Sequence, residues 1–374
     1  MPTRYRAGVI GRTGRGDYGH GLDRVYLEMD EIDLVAVADD NPTGLAEAGR
    51  RLGVARLYLD YREMLAKERF DIVSVAPRWV APHHEMVLAV AEAGACVFLE
   101  KPIARTLAEA DAMIVACERA GVTMGIAHQG RMHATTHYAK RLLADGTIGT
   151  ILSAQMRGKE DTRGGGEDLM VLGTHMFDTL RFLLGTNPRW AFAAVTTADG
   201  RLVTKADAVD GPEEMGWITG DRVHALYGFE DGTTATFESR RNQTDAGGRF
   251  GLQVFGTQGI LSVYQSSQEI RIYGAPFWRP DRTAPVQNVT AEALAALPAD
   301  QQRMHANASY TDVQMMANRT IVRDILRARE EGRRPLNSGH DGRWALEMIH
   351  GVYASHLQAC RIALPLADRA HPLE

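Results

Sequence analysis

The stretch Ala7-Gly8-Val9-Ile10-Gly11-Arg12-Thr13-Gly14-Arg15-Gly16-Asp17-Tyr18-Gly19 decides the fold of this chain. Its apolar beginning, Ala7–Ile10, predicts a buried β-strand that leads directly into a glycine-rich turn. Glycine at such a turn lets the backbone approach a pyrophosphate closely and directs the N–H groups of a following helix at the phosphates. Two alignments fit the dinucleotide-binding pattern, Gly14-x-Gly16-x-x-Gly19 and, closer to the strand, Gly11-x-Thr13-x-x-Gly16. The turn therefore predicts a dinucleotide site at Gly11, Thr13, Gly14 and Gly16.

Two acidic residues follow the next predicted strand, Leu34–Ala38. Asp39 and Asp40 stand at about the 20-residue offset at which a carboxylate in this type of site bonds the adenosine ribose hydroxyls. Because a carboxylate repels a 2′-phosphate, the pair favours NAD over NADP. Arg50 and Arg51 favour NADP if they fold back over the ribose, so NADP is the less favoured alternative.

The first third of the chain alternates short β-branched strands with helical segments, which indicates a doubly wound parallel sheet with helices on both faces. Thr106 and Glu109 form a capping box at the start of a helix that ends near Gly121. Residues 1–127 are therefore predicted to form an NAD(P)-binding Rossmann domain. The further predicted strands are Ile72–Val75, Val97–Leu99 and Thr123–Ala127.

After Ala127 the pattern changes to helices followed by strands of a mostly antiparallel sheet, so residues 128–374 predict an α/β domain with a large open sheet. The Pro- and Ala-rich stretch Gly274–Asp300 predicts a long surface loop, in which Phe277 and Trp278 are candidates for a core or oligomer contact or for stacking on a sugar. Helices are predicted at Ala134–Ala144, Glu167–Leu184, Tyr310–Glu330 and Gly339–Cys360. Strands are predicted at Thr150–Met156, Trp190–Thr196, Arg222–Phe229, Thr233–Ser239, Gly251–Phe255 and Ile260–Tyr264.

The composition argues against several classes of protein. The 374 residues hold 42 Lys and Arg against 47 Asp and Glu, a net charge of −5, so the chain lacks the basic surface that nucleic-acid binding needs. No apolar run reaches the roughly 18 residues of a membrane-spanning helix and no signal peptide precedes the first strand, so we expect no membrane contact and a cytoplasmic protein. The widely spaced Cys96, Cys117 and Cys360 indicate reduced thiols. His133 and His137 have an i, i+4 spacing, but no carboxylate completes a metal motif, so no metal is expected.

A second motif follows the strand Val97–Leu99, which ends in Glu100-Lys101-Pro102. A lysine there lies at the sheet edge where α/β proteins bind ligands. Together with Ala76-Pro77, His83 and Gly94, the motif resembles the signature of the Gfo/Idh/MocA family, named after glucose-fructose oxidoreductase and inositol dehydrogenase. The resemblance runs from about Arg6 to Pro365 and includes Tyr58-x-Asp60-Tyr61, Arg131, Ile148-Gly149, Gly173-Thr174-His175, Asp178 and Gly256-Thr257-x-Gly259.

The resemblance implies an N-terminal Rossmann domain, a C-terminal domain whose open sheet often forms the interface of a homo-oligomer, dimer or tetramer, and a site in the cleft between the domains. It implies that Lys101 is the active-site lysine and His175 the acid/base residue. Where the family usually has Asp one turn before this histidine, this chain has Val171, so either Asp168 replaces that carboxylate or proton transfer differs. The expected cofactor contacts are Gly11, Thr13, Gly14, Gly16, Asp39, Asp40, Ala76, Pro77, His83, Glu100 and Lys101, and the expected substrate contacts are His128, Arg131, Arg157, Lys159, Asp168 and Val171.

The chemistry expected of such a site needs a base for the hydroxyl proton and a positive group for the developing alkoxide. A histidine suits the first role because its pKa of about 6.5 lets it change charge near neutrality, and a lysine suits the second. The favoured function is an NAD-dependent oxidoreductase acting on a secondary hydroxyl of a sugar, polyol or glycoside. The alternatives are a sugar-modifying enzyme that retains NAD without net redox change, such as a glycosidase, lyase or epimerase, and a non-catalytic dinucleotide sensor.

Overall fold

The computed structural model describes residues 4–243, 248–265, 267–274, 286–306 and 308–374, so the predictions for Phe277 and Trp278 lie outside the described residues. The chain forms two compact units, and neither is continuous in sequence. The first unit holds Met1–Gln129, Gly211–Gly216 and Gln314–Arg343, and the second holds Gly130–Asp210, Trp217–Val313 and Trp344–Glu374. The first unit thus contains the predicted N-terminal domain of residues 1–127 and, in addition, two later segments. The predicted domain boundary after residue 127 stays a prediction.

In chain order the strands are β1 (Tyr5–Ile10), β2 (Ile32–Ala38), β3 (Leu57–Tyr58), β4 (Ile72–Val75), β5 (Cys96–Leu99), β6 (Met124–Ile126), β7 (Ile151–Arg157), β8 (Trp190–Thr196), β9 (Val209–Asp210), β10 (Trp217–Ile218), β11 (Arg222–Gly228), β12 (Thr234–Arg240), β13 (Gly251–Gly256), β14 (Gly259–Tyr264), β15 (Ile270–Gly274), β16 (Val286–Asn288) and β17 (Ile362–Ala363). The α-helices are α1 (Pro42–Leu52), α2 (Tyr61–Lys67), α3 (His83–Glu92), α4 (Leu107–Ala120), α5 (Gln129–Met132), α6 (Ala134–Ala144), α7 (Gly166–Val171), α8 (Gly173–Leu184), α9 (Thr290–Ala295), α10 (Ala299–His305), α11 (Tyr310–Glu330) and α12 (Gly339–Gln358).

Six of the described strands form the sheet of the first unit, in the order β3-β2-β1-β4-β5-β6, and all of them are parallel. The strands are apolar and buried, with Val9, Val73 and Val97 at 0% exposure, because helices cover both faces of a parallel sheet. The strand order reverses between β1 and β4, and in such sheets ligands bind beyond the carboxyl ends of the strands at this point. The predicted doubly wound Rossmann sheet is confirmed.

The segment between β1 and β2 differs from the prediction. Two 3₁₀ turns, Gly19–Gly21 and Val25–Glu28, follow the glycine-rich turn where the pattern predicts an α-helix. The turn closes on itself, because the backbones of Arg12 and Asp17 exchange hydrogen bonds of 3.0 and 3.2 Å. Asp17 and His20 have φ angles of 48° and 42°, which a right-handed helix does not allow. The prediction of a helix N-terminus directed at a phosphate is therefore wrong here.

Chain from much later in the sequence covers the edge strand of this sheet. Ser338 forms a β-bridge with Gly125 of β6, and the Ile126 N–H donates to the carbonyl of Asn337 over 2.7 Å. Ile325 of α11 packs on the same strand so closely that a Cβ at Gly125 would be 2.5 Å from its Cδ1 atom. Glycine at this position therefore permits the approach of α11.

Nine of the described strands form the sheet of the second unit, in the order β16-β15-β14-β13-β7-β12-β11-β8-β17. Neighbouring strands are antiparallel except for β7 and β12. On one face Tyr227 and Phe237 pack on Phe177 of α8, with ring centroids 5.5 and 5.0 Å apart. The other face is partly exposed, as Phe192 illustrates with 46% of its surface accessible. The predicted large, mostly antiparallel sheet is confirmed.

The predicted surface loop Gly274–Asp300 is wrong over residues 286–300, and residues 275–285 of this stretch lie outside the described part of the chain. The described part of this stretch contains β16 and α9 and reaches into α10. Val289 and Ala293 are buried, and the Thr290 N–H donates to the side chain of Asn288 over 3.0 Å at the start of α9. Small apolar residues at helical spacing explain why an Ala-rich segment folds here instead of remaining a loop.

The helix predicted over Glu167–Leu184 is also interrupted. Leu172 has φ −113° and separates α7 from α8. Asp168 and Val171 consequently lie on α7, whereas His175 and Asp178 lie on α8. The prediction of one continuous helix that carries all four side chains is therefore wrong.

None of the helices in the described ranges is long and apolar enough to cross a membrane. Within the same part of the chain, no three His, Cys, Asp or Glu side chains are grouped so that they can hold a metal ion. The thiols of Cys96, Cys117 and Cys360 are free, and the first two are buried.

Candidate active site

The glycine-rich turn is tightly packed at two of its glycines and open at a third. A Cβ at Gly11 would lie 2.1 Å from the ring of Tyr18, and a Cβ at Gly16 would lie 2.4 Å from the backbone nitrogen of Trp79. Gly14 also has a positive φ, 82°, but a Cβ there would meet no atom of the described residues within 4 Å. The turn therefore presents open backbone around Gly14, next to the carboxyl end of β1.

Asp39, the first acidic residue after β2, binds to the turn. Its carboxylate accepts hydrogen bonds from the Thr13 N–H at 3.1 Å, the Thr13 hydroxyl at 2.6 Å, the Tyr18 hydroxyl at 2.8 Å and the Asn41 N–H at 3.0 Å. Burial is the largest effect on the pKa of Tyr18, and the negative charge of Asp39 is the next largest. Both raise this pKa far above its usual value, so the hydroxyl keeps its proton and remains a donor. Asp39 thus anchors the turn against β2.

Asp40 lines a cavity of about 320 Å³ at the carboxyl ends of β1 and β2. Its Oδ2 atom lies 3.1 Å from Nε of Arg12, and 52% of its side chain is exposed. The cavity combines this carboxylate with apolar walls that include Ile10, Leu59 and Met86. A carboxylate can accept hydrogen bonds from the ribose hydroxyls, and apolar walls can pack against an adenine ring. These lining residues therefore fit the adenosine half of NAD.

Lys101 lies just beyond β5, at the same edge of the sheet, and is only 6% exposed. The preceding Glu100 is fully buried, and its Oε1 atom lies 2.7 Å from Nδ1 of His20. Burial is the largest single effect and raises the pKa of Glu100, but the combined effects of His20, Lys101 and His83 outweigh it, so the net shift is downward and Glu100 stays ionised. The sequence analysis did not identify His20, because its proximity to Glu100 depends on the irregular path of the glycine-rich turn.

His83 connects two predicted cofactor-binding segments. Its Nδ1 atom lies 3.0 Å from the carbonyl of Pro102, and its Nε2 atom lies 2.8 Å from the carbonyl of Pro77. Burial lowers the pKa of this histidine. The neighbouring Ala76 carbonyl accepts the Gly19 N–H over 2.7 Å. Because both ring nitrogens face protein carbonyls, His83 acts on this site through the positions of Pro77 and Pro102.

In the second unit, His175 lies in the first turn of α8 and is half-buried. One turn later, Asp178 forms a buried two-point ion pair with Arg131: Nε donates over 2.9 Å and Nη2 over 2.5 Å. The exposed fractions of the two side chains are 7% for Arg131 and 1% for Asp178. Arg131, predicted to contact substrate, thus has its guanidinium fixed in orientation by α8.

Asp168 holds a loop of its own unit. Its carboxylate accepts the N–H groups of Lys159 and Glu160, each over 3.1 Å, and the hydroxyl of Ser239 over 2.5 Å. Burial raises the pKa of Asp168. These three donors account for the position of Asp168, and Val171 beside it is buried and apolar. The substitution of Asp168 for the missing family carboxylate therefore stays a prediction.

The remaining predicted substrate contacts are charged or buried. Arg157 lies 3.0 Å from Glu238, and Lys159 lies 3.9 Å from Asp161. His128 is buried, and its carbonyl accepts the Asn337 side-chain amide over 2.8 Å. The structure therefore groups the predicted cofactor residues around the carboxyl end of the parallel sheet. The contacts given above for the predicted substrate residues each join residues of the same unit.

Comparisons with known proteins agree with this architecture. Residues 5–128 match the sequence model described as "Oxidoreductase family, NAD-binding Rossmann fold", and residues 136–262 match the "GFO/IDH/MocA C-terminal domain". The D-apiose dehydrogenase of Paraburkholderia graminis is 26% identical over 386 residues, covering 99% of this chain and 92% of the relative. The 2,7-anhydro-N-acetylneuraminate hydratase of Mediterraneibacter gnavus is 29% identical over 286 residues, covering 68% and 72%.

A levoglucosan dehydrogenase solved in complex with NADH and levoglucosan has a similar fold, with a TM-score of 0.75 at 23% identity. The match covers 97% of this chain and 100% of that one. The two family matches together cover more than half of the chain and include the six strands of the parallel sheet and much of the antiparallel one. This chain therefore belongs to the Gfo/Idh/MocA family of oxidoreductases, whose N-terminal part is an NAD-binding Rossmann fold.

Proposed function

We propose that this protein oxidises a secondary hydroxyl group of a sugar, polyol or glycoside and transfers the hydride to NAD. The observation that carries the proposal is the place of Lys101, which is largely buried beyond β5 at the edge of the sheet that also bears the glycine-rich turn and Asp40. The relatives named as sugar dehydrogenases support the substrate class. NADP is the less favoured cofactor because Asp40 would face its 2′-phosphate.

We propose that Lys101 supplies a positive charge and that His175 acts as the base. The bound NAD supplies the hydride acceptor. The ammonium group of Lys101 stabilises the alkoxide charge that develops as the hydroxyl proton is removed and before the hydride has left the carbon, and burial strengthens this effect because little water screens the charge. His175 takes the hydroxyl proton, since an imidazole with a pKa of about 6.5 changes charge near neutrality. The proposed cofactor contacts are Gly11, Thr13, Gly14, Gly16, Asp40, Ala76 and Pro77, and we propose that Asp39, His83 and Glu100 position them. The proposed substrate contacts are His128, Arg131, Arg157, Lys159, Asp168 and Val171.

Purified protein incubated with NAD⁺ and a panel of aldoses, polyols and anhydrosugars tests the proposal. We expect the absorbance of reduced nicotinamide to rise with at least one of them and to stay flat without sugar. Heat-stability shifts with sugar, but no turnover with any member of the panel, would contradict the proposal and favour a dinucleotide sensor instead.

A redox-neutral reaction on a sugar is the second candidate. Two observations favour it: the apolar, buried Val171 where the family usually has a carboxylate, and a relative whose name describes the addition of water. In this case NAD would co-purify with the protein, and mass spectrometry would detect a changed sugar while the nicotinamide absorbance stayed constant. Reduction of added NAD⁺ in proportion to product would exclude this candidate.

We also propose that the partly exposed face of the antiparallel sheet forms the subunit interface of a homo-oligomer. Phe192 of β8 lies beside Leu226 of β11 in the cross-strand register, and together they place an apolar patch on this face. We expect Phe192→Glu to shift the mass measured by light scattering toward the monomer, because a charge would have to be desolvated in the interface. Leu27→Glu, at a residue of the first unit with similar exposure, is the control. An unchanged mass for Phe192→Glu would contradict this assembly.

A further inference from the structure

We infer that Arg12 and Asp40 together form a cofactor-specificity switch, in which Asp40 selects NAD and at the same time restrains an arginine that is already placed to bind the 2′-phosphate of NADP. The inference rests on binding of a dinucleotide in the cavity that Asp40 lines. It does not depend on which sugar reacts or on whether net oxidation occurs.

The two acidic residues after β2 are not equivalent. A carboxylate offers about four lone-pair positions, and Asp39 meets four donors from Thr13, Tyr18 and Asn41. Asp39 is also only 2% exposed. Its oxygens are therefore committed to the turn, which leaves Asp40 as the carboxylate available to the ribose hydroxyls.

Arg12 lines the same cavity, directly beside Asp40. Its Nε atom lies 3.1 Å from Oδ2 of Asp40, and both residues line the cavity. A guanidinium has five N–H donors, so the contact through Nε leaves its terminal amino groups to extend toward a ligand. Arginine binds phosphate through two parallel N–H donors, which is the geometry that a ribose 2′-phosphate requires.

The arginines that the sequence favours for NADP occupy other positions. Arg51 is paired with the buried carboxylate of Asp23, and its guanidinium carbon lies 5.3 Å from the centre of the Tyr18 ring. Neither Arg50 nor Arg51 lines the cavity. Arg62 does line it, but its Nη2 atom lies 3.1 Å from Glu85, a second acidic residue of the same cavity. Arg12 is therefore the arginine whose carboxylate partner also occupies the expected ribose position.

Calorimetric titration of the full-length protein with NAD⁺, NADP⁺ and adenosine 2′,5′-bisphosphate, in the absence of sugar, tests the switch. We expect the natural protein to bind NAD⁺ more tightly than NADP⁺. In Asp40→Ser we expect NADP⁺ and the bisphosphate to bind at least about tenfold more tightly than before, while NAD⁺ binds more weakly. In the double variant Asp40→Ser/Arg12→Ala we expect this gain to disappear, because the guanidinium that supplies it is absent.

Asp39→Asn is the matched comparison, since it changes the neighbouring carboxylate that anchors the turn. We expect it to lower Tm and to weaken NAD⁺ and NADP⁺ by similar factors, and we expect Asp40→Asn to repeat the shift toward NADP⁺ with Tm unchanged. The inference is overturned if neither Asp40 variant gains affinity for the bisphosphate, if the gain survives without Arg12, or if the natural protein prefers NADP⁺. Because no sugar is present, a failure to oxidise sugars would leave these results unaffected.

Discussion

Lys101→Ala is expected to lower kcat/KM for the responsive sugar by about a thousandfold, because removal of one group that stabilises a developing oxyanion typically lowers the rate 10²- to 10³-fold and Lys101 is also buried. NAD⁺ affinity, measured by fluorescence titration, should change much less, since the glycine-rich turn and Asp40 do not depend on this side chain. Lys101→Met, which retains the aliphatic chain, should lose as much activity as Lys101→Ala.

His175→Asn is expected to act on the same chemical step with a different signature. General acid/base residues contribute about 10²- to 10⁴-fold, and the pH dependence of kcat should lose the rise that a titrating imidazole base produces. His340→Asn is the control, because this histidine lies 2.9 Å from Glu118 on the surface of the first unit. Near-normal turnover in Lys101→Ala or His175→Asn would remove the proposed pair.

Asp178→Ala is expected to lower the free energy of unfolding by about 3–5 kcal/mol, because breaking a buried ion pair leaves an uncompensated charge. The carboxylate receives two N–H donors from Arg131, and both side chains are almost fully buried. Urea titration, followed by circular dichroism, measures the change as a lower midpoint at an unchanged slope.

The control for this prediction is an exposed ion pair in the same unit. Arg189 and Glu230 have exposed fractions of 59% and 73%, so Glu230→Ala should change stability by about 1 kcal/mol or less. The double variant Arg131→Ala/Asp178→Ala should lose less than the sum of the single changes, because it removes both buried charges together. An Asp178→Ala variant as stable as Glu230→Ala would show that burial does not strengthen the Arg131 pair.

Local signals in the sequence predict most of the fold. Ala7–Ile10 and Ile72–Val75 are short apolar runs and form buried parallel strands, and Gly185 ends α8 with a φ of 69°. Gly232, with φ 87°, turns the chain between β11 and β12. Each of these features depends on residues that are neighbours in sequence, which is why pattern and spacing identify them.

The failed prediction at the glycine-rich turn depends on specific hydrogen-bond partners, one of which, Asp39, is distant in sequence. The glycine-rich turn does not start a helix, because Arg12 and Asp17 pair across it and Tyr18 reaches Asp39. Both residues line the cavity, but the same contacts commit the Asp39 carboxylate to the turn, whereas the Asp40 side chain stays about half exposed, although the two are adjacent and chemically identical. Their position directly after β2 predicts that both carboxylates lie at the carboxyl edge of the parallel sheet, but only their hydrogen-bond partners distinguish them.

The covering of β6 by Asn337, Ser338 and Ile325 has a consequence for the order of events during translation. The six parallel strands all lie before residue 127, whereas the residues that protect the outermost strand follow it by about 200 residues and are synthesised later. Domains generally fold as units during synthesis, and an unprotected strand edge invites association with other chains. A parallel sheet that forms before these residues are synthesised would therefore have an open edge at β6, and a product that stops at Gln129 would retain that edge.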